Sequence, residues 1–388
     1  LSLELDGRVL TAHSTVEGLS GVGLTSVVAS PDGRFALMGY EDGRIDRWTP
    51  SEVRTLDDVP RSGQFQGLTA VREWAFASTD RVFAATDFGL LELDLSLYVV
   101  RGTYRMRSDS EPVRIYSVAV LGDSVFAATD EGLKAAALNA PLYVPSSWTS
   151  AGRFGDSALT SLAVHQGQLA AVSGGRAYLR GASGWGALAL PADGQSARRV
   201  CACAEKLAVV RDFGISFFGA QGQPSGDLTG GLFGNSGFVP RDVACGFTGQ
   251  DGQAMRWVAN PARGITLVDN PNYAQHFSLN GPRIGASFDV RWDALRGTTV
   301  LTGATEGPWT PLYLNGGLTR LPRPGATWTG TDGSALGGAK DVLEVCTNPS
   351  DSTHWFAASW GGGVLEFRNG SLFRRWTIGN SSLRAANG

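Results

Sequence analysis

The chain has 388 residues, of which 43% are hydrophobic and only 18% charged, so it is a folded globular protein rather than a disordered one. A net charge of -3 with no basic stripe argues against a dedicated nucleic-acid binder, and no run of 18 apolar residues is present to cross a bilayer as a helix. The 52 glycines follow no collagen-like period and point to many tight turns between short strands.

The N-terminal Leu1-Ser2-Leu3-Glu4-Leu5 alternates as a strand, without the basic and apolar regions of a secretion signal, which is therefore expected to have been removed or never included. Residues 1–13 predict half of a repeat: a third strand over 1–5 and a fourth over 8–13. The first complete copy follows, with an apolar strand at 24–29 and the turn Tyr40-Glu41-Asp42-Gly43-Arg44-Ile45. Its pattern is plainest in Val82-Phe83-Ala84-Ala85-Thr86-Asp87-Phe88-Gly89-Leu90 and Val125-Phe126-Ala127-Ala128-Thr129-Asp130-Glu131-Gly132-Leu133, and again in Leu207-Ala208-Val209-Val210-Arg211-Asp212-Phe213-Gly214-Ile215. Each is an apolar strand, a short polar turn ending in glycine, and a second apolar strand: a hairpin whose glycine supplies positive φ.

Weaker copies centre on Gly175, Gly264 and Gly363. By subtraction the turn glycines at 43, 89, 132, 175, 214 and 264 stand 46, 43, 43, 39 and 50 residues apart. The 99 residues from Gly264 to Gly363 accommodate two repeats, with a divergent hairpin expected near Gly303 to Gly307. An apolar strand precedes most copies, at 73–77, 115–121, 159–164, 200–203 and 342–346, and a more polar strand follows several, as in Leu372-Phe373-Arg374-Arg375-Trp376. Four short strands per 40 to 45 residues predict an all-β chain, a β-propeller of four-stranded antiparallel blades, with seven blades favoured and eight allowed. Sustained helical periodicity is missing, a β-helix would repeat at shorter intervals, and a sandwich would not repeat. Residues 285–388 hold the final blades or the start of a second propeller, and the half-repeat at one end and abrupt stop at the other give the expectation of a longer natural protein.

Motifs for chemistry are sparse. His13, His165, His276 and His354 lie outside metal-ligand spacing of one another and of the cysteines, so no metal or cofactor is expected, and His354 is expected in a turn at a strand start. The nucleophile elbow and the phosphate-cradling loop are both missing, and Gly361-Gly362-Gly363 reads as a turn, so no catalytic residue is assigned and the chain is expected not to be an enzyme. Asp42, Asp87, Asp130 and Asp212 occupy equivalent hairpin turns, where aspartate is common, although they could converge at a propeller mouth. Cys201, Cys203, Cys245 and Cys346 are too few for a disulfide framework, and buried free thiols are expected. One disulfide stays open as an alternative, because the strands before Cys201 and Cys245 look equivalent in neighbouring repeats. Trp74, Trp257 and Trp355 read as core. Trp148, Trp185, Trp309, Trp328 and Trp360 fall in or beside loops and are the candidate partner-binding residues, with the Gly/Pro/Asn-rich segments 269–283 and 321–340 as candidate binding loops.

Several stretches resemble propeller repeats of the two-component-regulator type: Ser14-Thr15-Val16-Glu17-Gly18-Leu19-Ser20 before Leu24-Thr25-Ser26-Val27-Val28, and Asn369-Gly370-Ser371 through Leu383. More narrowly, the chain resembles the propeller part of the PorZ family of type IX secretion components. Gly39 to Asp46, Ile115 to Val120 with Ala128 to Leu133, and His354 to Phe367 carry that likeness; all three are structural stretches rather than chemical signatures. The resemblance implies a secreted protein on the extracellular face of the bacterial outer membrane, a non-catalytic scaffold in the attachment complex with the sortase-like protease PorU, the barrel PorV, and PorQ. That complex joins exported cargo to anionic lipopolysaccharide, which the family is thought to bind and present. The family's carboxy-terminal β-sandwich is not visible here. Two competing functions remain at this stage: the periplasmic ligand-sensing propeller of a hybrid two-component regulator, and an enzyme such as a glycosidase or lyase.

Overall fold

The computed structural model describes residues 2–384 apart from 5–8, 12, 63–66, 68, 108, 110, 153, 156, 204, 231–237, 249–253, 262–263, 271–272, 278–288, 294–296, 302–304, 307–309, 315–316, 324–325, 327 and 332. It divides into two compact units, Leu1–Ser278 and Leu279–Gly388. Among the described residues there are eight four-stranded antiparallel sheets, each with its strands in sequence order. The count matches the larger number that the repeat allows. Blades 1 to 6 span residues 24–56, 71–104, 115–150, 159–187, 197–229 and 242–277 in the first unit, and blades 7 and 8 span 289–331 and 342–376 in the second. At the N-terminus Ser2–Glu4 pairs with Val9–Thr11.

The inner strands of the first unit are Leu24–Ala29, Val71–Phe76, Ile115–Leu121, Leu159–His165, Ala197–Cys203 and Asp242–Thr248, and each packs on the next in chain order. The core lies between neighbouring sheets. Leu37, Ile45, Trp74 and Leu91 fill the seam of blades 1 and 2, and Phe83, Leu90, Val125 and Trp148 fill that of blades 2 and 3. A second strand faces such a seam on both sides, which is why it reads as a continuous apolar run: Val82, Phe83, Ala84 and Ala85 are all fully buried. Alanine at two of these positions lets adjacent sheets approach closely. In the second unit Leu301, Leu336, Trp355 and Phe367 share one cluster, where the rings of Trp355 and Phe367 stack at 3.7 Å.

The glycine turns form as expected, with one exception. Gly89 has φ +136°, and a Cβ there would sit 2.5 Å from the Tyr104 carbonyl oxygen, so both backbone shape and strand proximity demand glycine. Gly214 is absent from the positive-φ residues; its turn is made without the left-handed backbone, and a Cβ would instead crowd Arg211 and the Leu228 carbonyl.

Blade 7 departs from the repeat. Its second and third strands, Gly297–Leu301 and Leu318–Leu321, are joined through an insertion that carries a two-stranded ribbon, Thr305–Glu306 with Thr310–Pro311. The hairpin glycines expected there, Gly303 and Gly307, lie outside the described residues. The segments expected to be long loops contain strands: Tyr273–Phe277 is the fourth strand of blade 6 and Thr329–Thr331 that of blade 7. Polar outer strands have one solvated face and little apolar alternation, so they read as loops. His354 also differs from expectation, since it lies inside the strand Asp351–Ser359, with Nε2 3.0 Å from Glu366 Oε1.

Candidate functional site on the inner strands

Five inner strands of the first unit carry a β-bulge near their start, between Leu24 and Ser26, Val71 and Glu73, Ile115 and Ser117, Leu159 and Ser161, and Ala197 and Arg199. A bulge re-aims two consecutive side chains and so creates two repeated addresses per blade. The bulged residue reaches the hairpin turn: Arg72 Nε is 2.6 Å from Asp87, the Tyr116 hydroxyl donates to Asp130 at 2.7 Å, and Arg198 Nε lies 2.5 Å from Asp212. The turn aspartates are thus engaged within their own blades, and Asp42 pairs with Arg44.

The second address binds the neighbouring blade where it is serine. Ser26 Oγ donates to the Val71 carbonyl at 2.7 Å, Ser117 Oγ accepts from Leu162 N–H at 2.8 Å, and Ser161 Oγ accepts from Val200 N–H at 3.1 Å. In blades 2 and 5 the same address holds Glu73 and Arg199. These two meet across the unit, Arg199 Nη2 lying 2.8 Å from Glu73 Oε1, while Arg199 Nε is 3.2 Å from Asp242 of blade 6. Glu73 Oε2 is buried, and the Ser117 side chain also hydrogen-bonds to the Glu73 carboxyl. Burial pushes the Glu73 carboxyl above its ordinary value, against the pull of Arg199. For Arg199 burial acts to lower the value, but Glu73 and Asp242 outweigh it and hold the guanidinium above its ordinary range. These groups border a cavity of about 300 Å³ whose other walls are Leu24 to Val28, Arg72 and Trp74.

Behind this cluster the seam of blades 5 and 6 is covalent. Cys203 and Cys245 form a disulfide with Cα atoms 4.5 Å apart, so one bridge is present, made by Cys203 rather than the Cys201 whose strand suggested it. The expectation of buried free thiols is corrected, since only Cys201 and Cys346 are free and Cys346 is exposed. The two cysteines lie on adjacent inner strands, and their Cα separation falls within the range a disulfide requires. Cys201 remains a thiol and donates to Asp242 Oδ1 at 3.1 Å; burial, and then Asp242, push its pKa up, which disfavours the reactive thiolate.

The tryptophan candidates are dispersed. Trp148 is a core residue whose indole N–H donates to the Leu142 carbonyl at 2.9 Å, so it offers no face to a partner. Trp185 lies in the fourth strand of blade 4, half-buried, edge-on to Phe154 at 5.0 Å. Trp328 and Trp360 in the second unit are half-buried, and Trp309 lies outside the described residues. Of the three expected core tryptophans, Trp74 and Trp355 are buried, while Trp257 is half-buried and packs on Phe277. Three buried carboxylates lay beyond the sequence reading. Asp46, Glu92 and Glu366 each stand three residues after a turn glycine and accept from an aromatic: the Tyr40 hydroxyl, the Tyr104 hydroxyl and the Trp376 indole. The recurring Gly-x-x-Asp/Glu spacing was the available signal.

Residues 4–149 match the model of the PorZ N-terminal β-propeller domain of the type IX secretion system. Over that segment the chain is similar to the PorZ-type propeller. Over 94% of its length the chain superposes on PorZ, described as an essential bacterial surface component of that system in Porphyromonas gingivalis, with a TM-score of 0.71 at 17% identity. The chain spans about half of that protein, 48% of its length. The WD40 repeats of RRP9 also align, at a TM-score of 0.50 and 13% identity, over 70% of this chain and 82% of theirs. No curated protein sequence matches the chain. The PorZ-like fold and the repeat agree on a β-propeller of four-stranded blades.

Proposed function

We propose that the chain is a non-catalytic scaffold propeller of the attachment complex at the extracellular face of the outer membrane. The PorZ-type match over residues 4–149 carries this reading, and the PorZ-like fold beyond that segment supports it. Its partners in this reading are PorU, PorV and PorQ, with anionic lipopolysaccharide as a ligand. The sides of the blades are sealed by their cores, so the loops and exposed strand ends are the surfaces through which a propeller meets partners. Trp328 and Trp360, which are half-buried in the second unit, are proposed as contact residues there. Trp185 of blade 4 retains some surface and is a further candidate. The test is affinity purification of the tagged natural protein from its own membranes. Co-elution of the sortase and the barrel is the expected result, and elution as a lone monomer overturns the proposal.

A further inference from the structure

The inner cavity of the first unit has two poles of opposite sign. At one, Glu73 and Asp242 share the single guanidinium of Arg199, leaving one negative charge in excess. At the other, Arg72 and Arg114 both contact Asp87 Oδ1, at 2.6 and 2.9 Å, so two guanidiniums share one carboxylate oxygen. Because the bulge re-aims consecutive residues of one strand, Arg72 and Glu73 border the same cavity, so each pole presents a residue to one space. Between them stands an apolar wall on blade 1, where Leu24 and Val27 are 47% and 61% exposed.

We propose that this cavity binds a small zwitterion with an apolar side chain, of the size and chemistry of a free aliphatic α-amino acid. The ammonium group pairs with the acidic pole formed by the Glu73 and Asp242 carboxylates. The carboxylate meets the Arg72 guanidinium, and the side chain lies against Leu24 and Val27. The volume of about 300 Å³ is at the lower end of small-molecule pockets and suits such a ligand rather than a polymer. Burial holds the Glu73 carboxyl above its ordinary value, and an ammonium beside it would draw that value back down. The serines at the equivalent address of blades 1, 3 and 4 bond to neighbouring strands, whereas Glu73 brings a carboxylate to the wall of the cavity.

The test is calorimetric titration of the whole chain with L-leucine, leucinamide and 4-methylpentanoate, which carry both charges, only the cation and only the anion. Saturable binding of leucine is expected, with each one-charge analogue weaker by roughly tenfold or more, since each loses a charge-assisted hydrogen bond. Glu73→Gln is expected to weaken leucine binding to a similar degree; the analogue series on the unaltered protein decides the matter if that variant does not fold. No binding of leucine up to about 10 mM, or equal binding of the three compounds, overturns the proposal. So does a folded Glu73→Gln variant with unchanged affinity. This outcome is independent of whether the protein co-purifies with a secretion complex.

Discussion

Replacing Cys203 and Cys245 together by alanine removes the one covalent tie among the described inner strands. The bridge closes a loop of 42 residues, and the loop-closure relation for that length gives an entropy of about -13 cal/mol/K, worth about 4 kcal/mol at 25 °C. Cys203 is also buried in the seam of blades 5 and 6 beside Val210, Val243 and Val258, so losing its sulfur adds a small packing cost in the same direction. The measurement is urea unfolding of the double variant against the unaltered chain, followed by an intrinsic tryptophan signal. The expected result is a loss of several kcal/mol with a lower midpoint. A companion measurement is thiol titration of the unfolded, unreduced protein, which should find two free thiols, Cys201 and Cys346. Four titratable thiols, or a stability loss below about 1 kcal/mol against the loop-closure value, would refute the reasoning.

Gly89→Ala should destabilise the chain by about 2 kcal/mol or more, because alanine must adopt an unfavourable φ and its Cβ meets the Tyr104 carbonyl; thermal unfolding would show it, and an unchanged midpoint would contradict the turn geometry. Glu366 gives a pH dependence with a definite sign. Burial raises its carboxyl, but hydrogen bonds from Arg368, Trp376 and His354 outweigh it and the net value lies below the ordinary one. Its stabilising contribution is therefore complete above the ordinary carboxylate range and is lost as pH falls through the depressed folded value. Unfolding of Glu366→Gln, followed from neutral to acid pH, should lose that component of the acid dependence; a curve parallel to that of the unaltered chain would count against it.

The blades were legible because their second strands are buried on both faces and their turns need glycine, so Val82 to Gly89 and Val125 to Gly132 announce themselves. The fourth strands of blades 6 and 7 were not, because a polar outer strand has no apolar partner to fix its pattern. The inner cluster was hidden for a different reason. Glu73 and Arg199 are 126 residues apart, and neither strand carries a local motif; only the register that places both two residues after a strand start makes them equivalent. Trp148 misled because its position beside a turn looks exposed, whereas the loop folds inward to donate its indole N–H to Leu142.

The bulge repeated on five inner strands has an evolutionary consequence. Duplication of a blade copies its inward address together with its framework, so each new copy starts as an interchangeable letter at a fixed place. Serine, glutamate and arginine already occupy that place in different copies. A point substitution there rewrites what the interior presents while the apolar seams, which use other positions, keep the architecture intact. Such an array can change its specificity by spelling rather than by refolding.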